Sequence, residues 1–262
     1  MKDLKIVIIG AGNVAHHLCK ELVSEGLSPI YIHSRTMKSA GNLGEEYNID
    51  AGNQIRNIPK ADMYIFSLSD TALEGIIHNR ELKHIVANAL CVHTAGSVPG
   101  DLLENLSSNY GVLYPLQTFS KHVALDFSNI PICIEAVNPK NLRQIMFVAE
   151  LLSRDVRVLN SKQRKTVHTA AVFASNFSNY MYSVSEELLT DESLNFNILH
   201  PLILETARKA TGQSPSDSQT GPAIRGDEKT MKSHLDVMKN NLKLRKIYIF
   251  VSDLIKKQYQ NG

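Results

Sequence analysis

The chain has 262 residues, 43% apolar and 21% charged, with a formal net charge of +2 at pH 7, a balance that suits one large globular domain or two modest ones and gives no reason to expect nucleic acid or an acidic membrane surface as a partner. No apolar run reaches the ~18 residues of a membrane span, and the first apolar run starts almost at Met1, which leads us to expect no signal peptide and a cytoplasmic protein. Cys19, Cys91 and Cys133 are odd in number and far apart, so they read as small buried hydrophobes in a reducing compartment, with neither a disulfide nor a metal site.

The spacing of apolar residues predicts a strand over 4–9 (LKIVII), a helix over 13–24, a strand over 29–33 and a polar helix over 37–47. Further strands are predicted at 47–52, 61–68, 87–94, 111–116 and 130–136, then a helix over 139–153 and a short strand at 156–159. Continuous Ile/Val/Leu strands alternating with helices imply a parallel sheet covered on both faces. From about 160 the strands stop. Helices are predicted over 162–189, 195–211, 228–241 and 244–259, with the turn-rich stretch GQSPSDSQTGP (212–222) between the second and third. The expected fold class is α/β: a doubly wound, mostly parallel Rossmann sheet over 1–159, followed by an all-helical domain over 160–262.

At the end of the first strand, Gly10-x-Gly12-x-x-Ala15 forms the glycine turn of a dinucleotide site. Gly10 permits a sharp bend, Gly12 lets a pyrophosphate approach the backbone, and Ala15 lets the helix lie close to the strand. Asn13 and Val14 begin that helix, whose free N–H groups face the phosphates. Binders of NAD place an acid at the end of the second strand to bond the ribose 2′-OH. Here that position is Ser34, followed by Arg35 and Thr36 with Lys38 nearby. A guanidinium can pair with a 2′-phosphate in two-pronged fashion and the hydroxyls can donate to it, so the expected cofactor is NADP(H) rather than NAD(H). The same absent acid argues against an S-adenosylmethionine transferase.

Ligands of open α/β sheets sit outside the carboxyl ends of the strands, which selects three more loops. Ser67, Leu68 and Ser69 can wrap the nicotinamide half, with Asp70 either joining them or capping a helix. His93, Thr94, Ala95, Gly96 and Ser97 either leave room for a nicotinamide ring or form a tight polar turn. Tyr114 to Phe119 either borders the substrate or is a turn fixed by Pro115. Along the 162–189 helix, His168, Ser175, Asn176, Asn179 and Ser183 fall within about a third of the circumference at 100° per residue. This stripe is either a solvated face or a cleft lining, and its amides and hydroxyls favour the lining. Reducing C=O or C=N needs a proton donor, and histidine titrates near neutrality. His168 is the candidate acid/base, against the alternative of a structural histidine, with Asn176 and Asn179 as positioners. In TGPAIRGDEKT (220–230), Arg225 can clamp an anionic substrate, and Asp227 is expected to cap the next helix with Glu228 assisting.

The segments GAGNVAHHL, HTAGSVP, YPLQTFS, FASNFSN and QTGPAIRGD together resemble one branch of the 6-phosphogluconate dehydrogenase-like superfamily, which also holds β-hydroxyacid dehydrogenases and pyrroline-5-carboxylate reductase. That branch comprises bacterial Rossmann-like oxidoreductases with a helical C-terminal domain of unassigned function. The resemblance implies NADP binding at Gly10, Gly12, Asn13, Val14, Ser34 and Arg35, and a helical domain that closes the active site and builds a homodimer. The catalytic lysine that β-hydroxyacid dehydrogenases carry ahead of paired asparagines is absent, since Ser175-Asn176 stands there and Lys162 and Lys165 read as surface. The expected activity is NADP(H)-dependent hydride transfer to or from a small polar, anionic substrate such as a keto or hydroxy acid or an imine. The alternative is a non-catalytic NADP(H)-binding redox sensor or scaffold.

Overall fold

The computed structural model describes residues 3–260 apart from 122 and 124. Two compact units divide the chain, Met1–Asn176 and Phe177–Gly262. In the first, one eight-stranded sheet has the order β3-β2-β1-β4-β5-β6-β7-β8. Its strands are β1 (Ile6–Ile9), β2 (Tyr31–His33), β3 (Ala51–Gly52), β4 (Met63–Phe66), β5 (Leu90–His93), β6 (Tyr110–Pro115), β7 (Ile132–Ala136) and β8 (Val156–Val158). The helices of this unit are α1 (Asn13–Ser24), α2 (Met37–Tyr47), α3 (Asp70–Ile76), α4 (Arg80–Val86), α5 (Pro139–Leu152) and α6 (Ser161–Ala171).

The unbroken apolar character of the strands has a simple cause. Side chains alternate between faces, and both faces are buried. Ile6 and Ile8 of β1 join Leu18 and Leu22 of α1 and Val148 and Leu152 of α5 in one core layer. Val7 and Ile9, one residue out of phase, join Leu73 of α3 and Leu82 of α4 in the other. Cys19, Cys91 and Cys133 are buried free thiols, and burial pushes Cys19 and Cys91 up to about 12, so they act as the small hydrophobes expected of them.

The structure departs from the sequence reading at three places. The third strand is only Ala51–Gly52, because α2 runs on to Tyr47 and ends in a left-handed Asn48. Strand β7 runs antiparallel to β6, because the described residues of their connection hold a single 3-10 turn, Phe127–Asn129, and no crossover helix. The helix predicted over 162–189 is interrupted. α6 passes through a wide π turn, Val172–Phe177, before α7 (Ser178–Asp191), so a stripe counted at 100° per residue does not hold through that turn.

In the second unit, a 3-10 turn at Phe196–Leu199 leads into α8 (His200–Gly212), followed by α9 (Pro222–Arg225), α10 (Glu228–Val237) and α11 (Leu242–Gln260). Asp227 caps α10 as the sequence predicts, accepting from Thr230 N at 3.0 Å and Thr230 Oγ1 at 2.7 Å. Helix α6, which the sequence assigns to the helical domain, clusters with the sheet unit. Among the described residues no helix is long and apolar enough to cross a membrane.

Candidate active site

The strand order reverses between β1 and β4, and there the exits of β1, β2 and β4 converge. The chain leaving β1 is held to both neighbours, with Gly10 N donating to His33 O at 2.7 Å and Ser67 N donating to Ile9 O at 2.8 Å. Gly10 has φ +122°, and a Cβ there would overlap the Ser67 carbonyl, so both its conformation and its neighbour require glycine. Gly12 differs. Among the described residues, its chain neighbours aside, no atom lies within 4 Å of where its Cβ would stand, so their packing does not demand glycine. As N-cap of α1 it offers no side-chain cap, and the first turn of α1 carries no acid. Open space beside uncapped N–H groups at a helix N-terminus fits a pyrophosphate.

Gly10, Gly12, Ser34, Arg35, Thr36, Ser67, Leu68 and Ser69 line one cleft of about 400 Å³. Arg35 is exposed there and makes no ion pair among the described residues. Thr36 caps α2, its Oγ1 accepting from Ser39 N at 3.3 Å, and Lys38 does not line the cleft. Gly12 and Ser67 to Ser69 also border the next space, of about 370 Å³, with Asn13, Val14, Thr94, Ala95 and His168. That space in turn shares Tyr114, Gln117 and His168 with a smaller one of about 180 Å³, lined also by Ser175 and Asn176. The three spaces adjoin through these shared walls, and together they make up a trough that runs from Arg35 to Asn176.

The loop after β6 is tied to the glycine turn. Asn13 Nδ2 donates to Phe119 O at 2.8 Å, His17 Nε2 to Ser120 O at 3.0 Å, and Lys121 Nζ to Ala11 O at 3.2 Å. The Asn13 side-chain amide is therefore engaged with this loop. Asp70 does not cap α3. Ser69 holds the N-cap position, and the Asp70 carboxylate accepts the Ser97 hydroxyl.

At the far end of the trough the Tyr114 hydroxyl and His168 Nδ1 lie 2.9 Å apart. Burial pushes the Tyr114 phenol up to about 12, so it keeps its proton at neutral pH. A hydroxyl can both donate and accept. It therefore bonds Nδ1 whether that nitrogen carries a proton or not, and leaves Nε2 free for other work. Gly96 makes room for the pair, since a Cβ there would stand 2.5 Å from His168 Nδ1 and 2.7 Å from Tyr114 Cζ.

His168 is held from one turn earlier. Arg164, 1% exposed, donates to Glu135 Oε2 of β7 and to the Val98 carbonyl, and Ser161 Oγ donates to Glu135 Oε1 at 2.8 Å. This buried anchor ties α6 to the sheet. Arg164 stands in the run SKQRK, whose Lys162 and Lys165 are exposed as predicted. Its i,i+4 spacing from His168 is the signal that sets it apart from them.

The remaining site residues fall elsewhere. His93, predicted at the cofactor, is fully buried and lines no part of the trough. Its Nδ1 accepts from Ala95 N at 3.2 Å and its Nε2–H donates to Pro99 O at 3.3 Å. Burial, reinforced by the Arg164 charge, lowers it to about 4, so it is a neutral brace for the loop. Asn179 and Arg225 are exposed residues of the second unit.

Residues 1–110 match the model of the shikimate / quinate 5-dehydrogenase family, and residues 130–255 match a domain of unknown function, DUF2520. A solved structure from Bacteroides fragilis, described as a candidate NADP oxidoreductase, is 39% identical over 98% of this chain and 99% of its own, with a TM-score of 0.89. More distant likenesses concern the fold. An imine reductase from Myxococcus stipitatus in complex with NADP+ is 11% identical, covering 98% and 95% of the two chains with a TM-score of 0.72. A reductive aminase from Aspergillus terreus in complex with NADPH and ethyl-5-oxohexanoate is 12% identical, covering 99% and 94%, with a TM-score of 0.74. No curated protein is significantly similar to the chain.

Proposed function

The chain belongs to the family of Rossmann-like NADP oxidoreductases of the 6-phosphogluconate dehydrogenase-like fold that carry DUF2520, and from that premise we propose that it reduces a C=O or C=N bond of a small polar substrate, with His168 and Tyr114 as its proton-delivering pair. The cofactor is NADP(H). Gly10, Gly12, Val14 and Ser67 to Ser69 would hold its phosphates and ribose, Ser34, Arg35 and Thr36 its 2′-phosphate, and Thr94 and Ala95 would border its nicotinamide end. Bound there, the cofactor supplies a hydride.

The chain's own residues supply the proton. Protonated His168 gives up the hydrogen on Nε2 to the oxygen or nitrogen of the substrate and returns to neutral imidazole. Tyr114 accepts from Nδ1–H in both states, so the ring keeps its aim while Nε2 loses its proton and regains one from solvent. Asn176, lining the same end of the trough, offers an uncharged amide to orient the substrate. The observation that carries this reading is the 2.9 Å Tyr114–His168 contact in a space that shares Gly12 and Ser67 to Ser69 with the Arg35 cleft. Keto acids and imines are the substrate classes that suit an end with one protonatable imidazole among otherwise uncharged hydrogen-bonding groups. The chain works as a homodimer through its helical unit, a reading supported by the exposed Leu202 and Leu204 of α8 and Leu242 and Phe250 of α11; light scattering at micromolar concentration tests it.

NADPH oxidation with a panel of keto acids, ketone–amine mixtures and cyclic imines tests the activity. His168→Ala is expected to lower kcat about a hundredfold or more, as loss of an acid/base does, with NADPH affinity unchanged. Tyr114→Phe is expected to lower kcat less and to alter the pH profile. Tight NADPH binding with no turnover of any substrate would instead favour a non-catalytic redox sensor.

A further inference from the structure

The amino-terminal edge of the sheet, opposite the trough, carries a polar cavity that the oxidoreductase reading does not use. It opens below the starts of β4, β5 and β6, where Leu90 N donates to Asp62 O at 3.0 Å and Cys91 N donates to Asn109 O at 2.9 Å. Its volume is about 340 Å³, at the lower end of the range for small-molecule sites. Four residues of strand, about 13 Å, separate this edge from the trough.

We propose that this cavity is a second small-molecule site, for a phosphomonoester of a small hydroxylated compound. Lys60 and Lys140 line it from two separate elements, and neither makes an ion pair among the described residues. Lys140 stands in the first turn of the 14-residue helix α5, which carries no acid in that turn; its N-terminal field adds to the two ammonium charges. An independent observation points to a ligand. Asn141, in the same turn, also lines the cavity, is 1% exposed, and its Nδ2 has no hydrogen-bond partner among the described residues. A buried donor left unpaired costs about 1–3 kcal/mol, and an acceptor arriving in the cavity would relieve that cost.

The rest of the lining selects what accompanies the phosphate. Asn88, Asn109 and Gln144 offer carboxamides, each able to donate to and accept from a hydroxyl. Asp62 is a carboxylate in the same wall, with Oδ2 already accepting Lys5 N at 2.9 Å. It opposes a bare dianion but welcomes a hydroxyl donor, so the wall suits a ligand with a phosphate at one end and hydroxyls at the other. His84 is the one aromatic ring among the residues that line the cavity, so a nucleobase would find at most a single ring to stack on.

Calorimetric titration of the full chain tests this, with NADPH present in excess so that the dinucleotide cleft is filled. Glycerol 3-phosphate is expected to bind saturably and more tightly than inorganic phosphate, and glycerol not at all. The double variant Lys60→Ala/Lys140→Ala, which changes two exposed residues, should keep its melting temperature and NADPH affinity while weakening glycerol 3-phosphate at least about tenfold, equivalent to 1.4 kcal/mol. Asn141→Asp, which puts a second carboxylate on the floor, should weaken it as well. Binding should persist in an Arg35→Ala background. The proposal is overturned if glycerol 3-phosphate does not saturate, if the lysine variant binds it undiminished, or if Arg35→Ala abolishes it, since the last would place the anion in the cofactor cleft.

Discussion

At the scale of single residues, what a position lacks is as informative as what it carries. Gly96 has no positive φ to explain it. Its role is to leave room for the His168 and Tyr114 rings, which stand within 2.7 Å of its absent Cβ. Gly96→Ala is therefore expected to displace the pair rather than strain the backbone. Overpacking of this kind costs typically about 1–3 kcal/mol, so urea unfolding should show a modest loss of stability, while kcat falls much further and NADPH affinity is kept. Equal losses in kcat and in cofactor affinity would argue that Gly96 serves the cleft as a whole. The glycine turn and Arg35 were legible in the sequence because their chemistry is local, with a bend, a close approach and a charge all within about 25 positions. The Tyr114–His168 pair was only half legible. Its members are 54 residues apart and meet through the fold, so spacing could nominate His168 but could not name its partner. His93 misled for the opposite reason, since a strand-end loop places a residue near the ligand without deciding which way its side chain turns.

At the scale of elements, the site depends on α6 being fixed to the sheet, and the fixing group is an ion pair buried on one side. Arg164 is 1% exposed and Glu135 25% exposed. Removing the carboxylate leaves a guanidinium with no counter-charge in a buried place, and breaking such a pair costs about 3–5 kcal/mol. Glu135→Ala is expected near the lower end, because Glu135 is partly solvated and Arg164 keeps the Val98 carbonyl. Chemical denaturation measures the loss. Arg164→Met, which removes the charge and keeps much of the stem, should be milder in stability yet still lower kcat, because His168 sits one turn along the same helix. The strands were legible as unbroken apolar runs, since burial on both faces writes itself directly into composition. The antiparallel β7 was not, because strand direction follows from the length and content of a connection, and the 116–131 segment gives no periodic signal. The π turn at Val172–Phe177 likewise has no signature in residue spacing, and the polar stripe counted at a constant 100° could not anticipate it.

At the scale of the whole molecule, the braced histidine makes folding sensitive to acid in a defined window. His93 is neutral in the native state, hydrogen-bonded at both nitrogens, and lowered to about 4 from 6.5. Between these values the unfolded chain takes up the proton and the native chain does not. Its contribution is therefore complete above pH 6.5 and is lost progressively as the pH falls towards about 4. It amounts to about 3 kcal/mol in total, because holding off the proton across each pH unit of that window is worth about 1.36 kcal/mol. His33, lowered by burial as well, acts in the same direction. The carboxylates held low by partners, Asp155 beside Arg157, Glu205 beside Arg208 and Asp227 on Thr230, contribute stability present above the ordinary carboxylate range and lost as the pH falls through their lowered values. Their loss belongs mainly to a more acidic window. Denaturant unfolding should thus find the protein weakening steadily from about pH 6.5 to about 4.5, with a slope approaching one proton per molecule or more. His93→Gln, which cannot titrate, should be less stable at neutral pH, having exchanged a fitted imidazole for a flexible amide, and should lose most of that slope. An unchanged slope in this variant would assign the acid sensitivity to another group, His33 first among them, and would remove the reason for regarding the buried imidazole as the acid-sensitive brace of the 93–99 loop.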